Sequence, residues 1–138
     1  MKYLLDTNIL SEPLKPQPVQ HVLEKFEQHG AYLSTAAIVW HELWFGCMRL
    51  PESSRKKNIQ IYLSTLQLEM TAILPYTESA AVWHGLERAR LQQLGMTPSM
   101  TDGQIAAIAH ENGLIVVTRN VRDFEMFSQV QVENWFAK

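Results

Sequence analysis

The first ten residues constrain the fold most, because an apolar strand there runs directly into a carboxylate. Tyr3 to Leu5 is too short to alternate, which predicts a strand buried on both faces. Asp6 follows that strand, and Thr7 and Asn8 can cap a helix beginning near Ile9. Ligands gather at the carboxyl ends of strands in open parallel sheets. Asp6 is therefore a candidate functional residue as well as a candidate helix cap.

Strands and helices alternate along the remaining chain, which predicts an α/β fold with a parallel sheet and helices on both faces. No linker or internal repeat interrupts the alternation, so residues 1–138 are expected to form one domain. The predicted strands are 3–5, 31–33, 72–75, 114–117 and 130–132. The predicted helices, after the short one near Ile9, are 19–29, 36–50, 59–69, 78–94 and about 102–112. Ser34 and Thr35 are expected to cap the helix at 36–50.

Composition narrows the class of protein without naming its chemistry. A hydrophobic content of 46% excludes a disordered chain. The single Cys47 can form neither an internal disulfide nor a cysteine-based zinc site, which favours a reducing, cytoplasmic location. The chain has no apolar run long enough to span a membrane and no secretory signal at its start, so we expect no membrane association and no export.

The formal net charge of −2 argues against a broad basic surface for nucleic acid. It leaves nucleic-acid chemistry open, because acids grouped around divalent cations can present a locally positive surface to a phosphate. The basic run of Arg55, Lys56 and Lys57 is expected to form a solvated face. The five histidines lack the spacing of metal ligands and are expected to be surface or packing residues.

Four acidic residues occupy positions that can share one edge of the predicted sheet. Asp6 follows the first strand, Glu42 lies in an otherwise apolar helix, Asp102 opens a helix, and Asp123 follows the strongest strand. Crowded carboxylates repel one another and need protons or cations between them. Oxygen ligands without histidine or cysteine select Mg²⁺ or Mn²⁺, and paired ions of that kind suit phosphodiester cleavage.

Two of these acids also have ordinary structural explanations that the sequence leaves open. Glu42 can pair with His41 or Arg49, since an unpaired buried carboxylate is costly, or it can simply lie exposed on a narrow polar edge of its helix. Asp102 can simply face the positive end of its helix dipole. The sequence contains none of the motifs typical of other enzyme classes: it has no glycine-rich phosphate loop, no G-x-S-x-G and no H-E-x-x-H. A phospho-accepting receiver module fits less well, because no lysine stands at a strand end.

The chain resembles the PIN-domain nucleases, and among them the VapC toxins of bacterial toxin–antitoxin pairs. The resemblance covers essentially the whole chain, including residues 130–135. The residues that carry it are Leu5-Asp6-Thr7-Asn8, Glu42 in its apolar helix, Asp102 ahead of Ile105-Ala106-Ala107, and Thr118-Arg119-Asn120 followed by Asp123-Phe124.

This resemblance implies a three-layer α/β/α PIN-like fold with a central, mostly parallel five-stranded sheet. It implies an endoribonuclease that depends on Mg²⁺ or Mn²⁺ and cleaves RNA with a metal-activated water. Asp6, Glu42 and Asp102 would bind the metal, with Asp123 as a fourth catalytic and metal-binding acid. Asn8, Thr118 and Asn120 would orient these acids, the water or the substrate.

The same resemblance implies three partners: a structured RNA such as a tRNA or an rRNA loop, a cognate VapB-type antitoxin, and a second copy of the chain. The aromatic helix with Trp40, Trp44 and Phe45 predicts the dimer surface, and the apolar stripe of residues 59, 62, 63 and 66 predicts more of it. Alternatively, both stripes cover the core of one subunit. The alternative function is a non-catalytic PIN-fold module that binds RNA or protein.

Overall fold

A computed structural model describes residues 2–137, so Met1 and Lys138 lie outside the described residues. Strands and helices alternate there as expected, with 3-10 turns at Glu12–Leu14 and Gly30–Tyr32. That residues 1–138 form a single domain stays a prediction. The strands are β1 (Tyr3–Leu5), β2 (Leu33–Ala36), β3 (Ala72–Leu74), β4 (Ile115–Val117) and β5 (Val132–Glu133). The helices are α1 (Thr7–Leu10), α2 (Gln20–His29), α3 (Ala37–Met48), α4 (Ser54–Glu69), α5 (Glu78–Gln93), α6 (Met100–Asn112) and α7 (Arg122–Glu125).

The sheet has the strand order β3-β2-β1-β4-β5, and each neighbouring pair is parallel. This confirms the predicted α/β class. The chain adds β2 and β3 on one side of β1 and then β4 and β5 on the other, so the order reverses between β1 and β4. Parallel sheets bind ligands at such a reversal, beyond the carboxyl ends of the strands. Leu5 stands opposite Val117 in this register, so Asp6 and Thr118 meet at that point.

The second strand differs from its predicted position. Residues 31–33 were expected as strand, with Ser34 and Thr35 capping the next helix, but β2 spans Leu33–Ala36. Both hydroxyl residues are completely buried within β2. The Ser34 hydroxyl donates to the Tyr3 carbonyl at 2.8 Å, and the Thr35 hydroxyl donates to the Leu5 carbonyl at 2.7 Å. Because these hydroxyls are satisfied by β1, they serve the sheet and cap no helix.

The last strand begins two residues later than predicted. Gln129 has a left-handed φ of 61°, so the chain is still turning there. Pairing with β4 starts at Val132, which stands opposite Val116, and continues to Glu133. The expected strand at 130–132 is therefore displaced toward the C-terminus.

The apolar stripe of α4 packs mainly against the core of its own subunit, so its predicted role as a dimer surface is not supported. Leu63 is completely buried, Leu66 is 6% exposed, and Ile59 packs against the core. The Tyr62 hydroxyl donates to the Leu10 carbonyl at 2.6 Å, which ties α4 to α1. These contacts favour the alternative in which the stripe covers the core of one subunit.

The basic run at the start of α4 is only partly the predicted solvated face. Arg55 and Lys57 are exposed, but Lys56 is only 6% exposed. The Lys56 ammonium donates to the Met48 carbonyl at 3.1 Å and to the Glu52 carboxylate at 2.8 Å. Lys56 therefore joins the end of α3 to the start of α4.

Helices α5 and α6 approach closely at a glycine beside the predicted site. Any side chain at Gly103 would overlap the His84 imidazole of α5. His84 is buried, and its Nδ1 lies 2.9 Å from the Tyr76 hydroxyl, so it is the packing residue that was expected. The neighbouring Ala106 and Ala107 are completely buried. This packing holds the first turn of α6, and Asp102 with it, against the rest of the molecule.

Candidate active site

A cleft of about 490 Å³ opens where the strand order reverses. Three of the four predicted acids line it: Asp6 from the end of β1, Glu42 from α3 and Asp102 from the first turn of α6. Asn8 and Asn120 line it as well. The structure thus brings together side chains that are separated by up to 114 positions in the sequence.

Asp6 is the most buried acid of the cleft, at 7% exposure. One carboxylate oxygen accepts the Thr7 backbone N–H at 2.8 Å, which makes Asp6 the cap of α1. Its other oxygen accepts the Thr118 hydroxyl at 2.8 Å. Both the structural and the functional expectations for Asp6 are therefore compatible, because capping α1 also aims the carboxylate at the cleft.

Burial raises the pKa of the Asp6 carboxyl above its ordinary value. The hydrogen bonds from Thr118 and Thr7 lower this pKa, and the negative charges of Glu42 and Asp123 raise it. The net effect is a raised pKa, so the ionised form of Asp6 is disfavoured in the protein without a cation. A nearby cation would favour the carboxylate and reverse that effect.

Glu42 is exposed at the rim of the cleft. Its carboxylate accepts the Thr7 hydroxyl at 3.2 Å. Among residues 2–137 it forms no ion pair with His41 or Arg49, so the pairing alternative finds no support, whereas the alternative of simple exposure agrees with its position. Thr7 thus contacts two of the acids, with its N–H on Asp6 and its hydroxyl on Glu42.

Asp102 lies in the first turn of α6, whose cap is Ser99. The Ser99 hydroxyl accepts the Asp102 backbone N–H at 3.1 Å. Burial raises the pKa of the Asp102 carboxyl, Ser99 lowers it, and the charges of Asp6, Asp123 and Glu42 raise it further. Asp102 and Asp6 therefore share one electrostatic environment, although they come from opposite ends of the chain.

Asp123 stands apart from the other three acids. It is exposed in the first turn of α7, where its backbone N–H donates to the Asn120 carbonyl at 3.0 Å. It is absent from the lining of the cleft, yet its charge contributes to the raised pKa of Asp6 and of Asp102. Its position is that of a peripheral acid.

The polar residues after β4 form a network around the fully buried Thr118. Its hydroxyl accepts the Asn120 backbone N–H at 3.0 Å while donating to Asp6. The Asn8 side-chain carbonyl accepts the Arg119 N–H at 3.1 Å, and its amide nitrogen lies 3.5 Å from the Thr118 hydroxyl. These bonds join the end of β4 to α1 and fix the orientation of Asp6.

Four hydroxyl residues line the cleft that sequence reasoning did not single out as site residues: Thr7, Ser11, Ser99 and Thr101. The signal for Ser99 was available, because a serine three residues before an acid is a common helix-capping pattern. Nothing local indicated that Thr7 would contact Glu42, because the two are 35 positions apart. Such a contact depends on how α1 packs against α3.

The types of oxygen atom that line the cleft suit a hard divalent cation. The cleft offers carboxylate, amide and hydroxyl oxygens, which are the ligands that Mg²⁺ and Mn²⁺ prefer. Among residues 2–137, no three histidine, cysteine, aspartate or glutamate side chains converge as a ready-made metal site. Mg²⁺ commonly uses only one or two protein carboxylates and keeps several waters. Acids on separate walls of one cleft are therefore compatible with such an ion.

Comparison with known proteins places this fold and cleft in a family. A model of the PIN domain matches residues 3–131, so the chain belongs to the PIN-domain family and has its three-layer α/β/α architecture. Ribonuclease VapC2 of Haemophilus influenzae is 33% identical to the chain over 136 residues, covering 98% of each protein. Within the PIN-domain family, the chain is one of the VapC toxin ribonucleases. Ribonucleases with PIN domains generally depend on a divalent metal ion.

Two further comparisons agree with this assignment. The tRNA(fMet)-specific endonuclease VapC of Salmonella typhimurium is 30% identical over 136 residues, covering 98% of each protein. The crystal structure of FitAcB from Neisseria gonorrhoeae superposes with a TM-score of 0.91 at 30% identity, covering 99% of each chain. In the described part of the chain, no helix combines the length and the apolar character needed to cross a bilayer.

Proposed function

We propose that the cleft is the catalytic centre of an endoribonuclease that depends on Mg²⁺ or Mn²⁺. Asp6, Glu42 and Asp102 would hold the ion, and Asp123 would support it as a fourth, peripheral acid. The observation that carries this proposal is that Asp6, Glu42 and Asp102 line one cleft. Burial first, and the charges of the other acids to a lesser extent, raise the pKa values of Asp6 and Asp102 there. A cation would relieve this repulsion.

Other residues of the cleft would orient the acids, the water and the substrate according to their positions. Thr118 orients the Asp6 carboxylate, Asn8 and Asn120 offer amides to a phosphate or water, and Thr7 holds Glu42. When bound, the ion would supply an activated water for attack on the scissile phosphate and charge stabilisation for the leaving oxygen. A side-chain nucleophile is not required by this scheme, and the acid set gives no support to the non-catalytic alternative.

The names of the relatives support a proposal for the substrate and for the protein partner. We propose a structured RNA as substrate, with tRNA favoured because one relative is named as a tRNA(fMet)-specific endonuclease. A cognate VapB-type antitoxin would inhibit the enzyme, as expected for the toxin of such a pair. Residence in the cytoplasm stays a prediction; the buried free thiol of Cys47 is compatible with it.

Metal binding can be tested without measuring cleavage. Added Mg²⁺ should raise the melting temperature of the parent protein, because a ligand that binds only the folded state stabilises it by mass action. Glu42→Gln should reduce this rise, since it removes one of the proposed ligands. Thermal melts with chelator and with Mg²⁺ measure both effects, and Glu27→Gln on α2 is a matched control that lines no part of the cleft.

These melts distinguish whether Glu42 is a metal ligand or serves only to stabilise the fold. If Glu42 served only the fold, Glu42→Gln would lower the melting temperature equally with and without Mg²⁺. An equal Mg²⁺-dependent rise in the parent, Glu42→Gln and Glu27→Gln proteins would contradict the proposed metal site.

We propose that the chain forms a homodimer through α3. Phe45 and Met48 on this helix are 61% and 47% exposed, which is unfavourable for an isolated subunit. Trp40 and Trp44 are partly buried against the core and each other, so they contribute less to this surface than was predicted. Light scattering on the protein without antitoxin should give about twice the subunit mass of 15.9 kDa. A mass near 15.9 kDa at micromolar concentration would contradict the dimer.

A further inference from the structure

An exposed arginine stands just after β4, between two residues of the candidate site. Arg119 follows Thr118, which donates to the Asp6 carboxylate, and it precedes Asn120, which lines the cleft. The backbone N–H of Arg119 donates to the Asn8 side-chain carbonyl at 3.1 Å. Its backbone is therefore fixed to the wall of the cleft, although Arg119 itself is not one of the lining residues.

An aromatic ring holds the side chain of this arginine in place. The guanidinium carbon of Arg119 lies 4.6 Å from the centre of the Phe136 ring. Phe136 is partly buried and packs against the core, so the ring is a firm support. Stacking uses the face of a guanidinium and leaves its N–H groups, which lie at the edge, available to a ligand. Phe136 thus restricts Arg119 without using its donors.

The charge of Arg119 is not neutralised by the protein around it. Among residues 2–137, Arg119 forms no ion pair with a carboxylate. The pKa of Glu12 is lowered first by the hydrogen bond from Lys15, and the charge of Arg119 adds a smaller effect. The Lys15 ammonium already pairs with the Glu12 carboxylate at 2.9 Å. The positive charge of Arg119 is therefore available to a ligand beside the cleft.

We propose that Arg119 binds a backbone phosphate of the RNA next to the scissile phosphate and so holds the strand at the acids. Phe136 is the positioning residue that keeps the guanidinium in place for this contact. The assignment rests on the proposed function, because it takes the scissile phosphate to lie at the acids. It adds to that function a substrate contact outside the metal-binding group.

The surroundings of Arg119 favour a phosphate as its ligand. Three carboxylates line the cleft and Asp123 lies near it, so a polyanion needs a local cation to approach. The planar guanidinium of arginine can bind two phosphate oxygens at once. An acidic side chain of the antitoxin is the competing ligand, and the tests below distinguish the two.

Binding can be measured in a background that does not cut. The Asp6→Asn protein with Mg²⁺ is titrated against a short, fluorescein-labelled single-stranded RNA of random sequence, and anisotropy reports the affinity at several salt concentrations. Adding Arg119→Gln should weaken binding about tenfold and lower the slope of log K against log salt by about 0.7, as expected for one lost phosphate contact to a single strand. Arg88→Gln is the matched control, because Arg88 is an exposed arginine of α5 that lines no part of the cleft.

Two further variants separate a phosphate contact from a structural role. Arg119→Lys keeps the charge but loses the planar donors, so it should keep the salt slope of the parent with an intermediate affinity. Phe136→Leu keeps an apolar side chain but removes the stacking ring, and it should weaken RNA binding only while Arg119 is present. In the Arg119→Gln background Phe136→Leu should have no further effect, because the two residues act through one contact.

Kinetics in the active protein give an independent measure of the same contact. Arg119→Gln should raise KM more than it lowers kcat, because a phosphate beside the cut is bound equally in the ground state and the transition state. Arg88→Gln should leave both constants unchanged.

Each result bears on the proposal. Equal RNA affinity and salt slope of the Arg119→Gln and Arg88→Gln proteins would overturn the phosphate contact. Normal RNA affinity of Arg119→Gln with weaker inhibition by the antitoxin would also overturn it and assign Arg119 to the protein partner. Arginine-dependent binding without cleavage by the parent protein would retain the contact and reject only the proposed catalysis. Cleavage with an unchanged KM in Arg119→Gln would reject only the contact.

Discussion

Asp6→Asn should lower RNA cleavage by more than about 100-fold while leaving the protein folded, because loss of a supporting residue alone commonly costs 10- to 100-fold and a direct ligand costs more. The substitution removes a charge from the centre of the acidic group and changes little volume. Asp6 is held between the Thr7 N–H and the Thr118 hydroxyl, so no other side chain can replace its carboxylate without moving α1 or β4.

The fold should tolerate this change for a specific reason. The pKa of Asp6 is raised, so its charge is unfavourable in the protein without a cation, and removing the charge costs little stability. The asparagine oxygen can still accept the Thr7 N–H, and its amide can donate to the Thr118 oxygen, which also accepts the Asn120 N–H. The structural loss is then confined to the one hydrogen bond that the buried Thr118 hydroxyl donated, about 1 kcal/mol. Circular dichroism should therefore match the parent, and a melt in chelator should show only a small decrease.

Cleavage assays on the parent, Asp6→Asn and Glu27→Gln proteins decide the point. Glu27→Gln removes an exposed acid of α2 and should cut at the parent rate. An Asp6→Asn protein that is folded and cuts normally would exclude Asp6 from the catalytic centre. An Asp6→Asn protein that is unfolded would assign Asp6 a mainly structural role.

The second large effect is expected on stability, at Glu87. This carboxylate is only 6% exposed and accepts the Ser128 N–H at 2.6 Å and the Ser128 hydroxyl at 2.7 Å. It also accepts two hydrogen bonds from Arg90, which in turn donates to the Met126 carbonyl at 2.9 Å. Glu87 and Arg90 thus join α5 to the segment between α7 and β5.

These contacts lower the pKa of Glu87 to about 2, mainly through Arg90 and with help from Ser128. Because the pKa is lower in the folded than in the unfolded protein, the unfolded chain takes up the proton first. The stabilisation is therefore complete above the ordinary pKa of 4.5 and is lost as the pH falls toward about 2. Allowing for the partial exposure of Arg90, the charge of Glu87 contributes about 2 kcal/mol at neutral pH.

Glu87→Gln should accordingly reduce the free energy of unfolding by about 2 kcal/mol at pH 7, and by less as the pH is lowered. Urea denaturation at pH 7 and near pH 3 measures the change. Glu125→Gln, an exposed acid of α7, provides the control and should behave like the parent. A loss at Glu87 that is the same at both pH values would mean that packing, rather than charge, is responsible.

The sequence predicted the parts of the fold that depend on local pattern. Tyr3 to Leu5 forms the expected first strand, and the continuous apolar run before Thr118 forms β4. Given alternating strands and helices, parallel pairing follows, and parallel pairing brings the carboxyl ends of strands together. That is why Asp6 and Thr118, 112 positions apart, could be expected at one edge.

The errors come from contacts between distant segments. Ser34 and Thr35 have the residue types of helix caps, but their hydroxyls donate to β1, about 30 positions away. Lys56 belongs to a basic run that looks solvated, yet it is buried against the end of α3. No local pattern distinguishes these uses of a polar side chain, because the acceptor is supplied by tertiary packing.

In the candidate site, too, local pattern predicts some features and tertiary packing determines the others. The positions of strand ends and helix starts predicted that Asp6 and Asp102 lie at one edge of the sheet, and Asp123 was expected as a fourth acid beside them. The turn into α7 instead leaves Asp123 exposed outside the lining of the cleft. The role of Thr7 as a common contact of two acids depends on helix packing, which residue order alone does not specify.

Metal-dependent cutting of RNA by the acidic cleft is the central claim, and one measurement tests it most directly. The purified protein, free of antitoxin, is incubated with total RNA in chelator, in Mg²⁺ and in Mn²⁺, and the new RNA ends are mapped. We expect new ends at defined positions with either ion and none in chelator. Undiminished cleavage in chelator, or no cleavage with either ion, would contradict the claim.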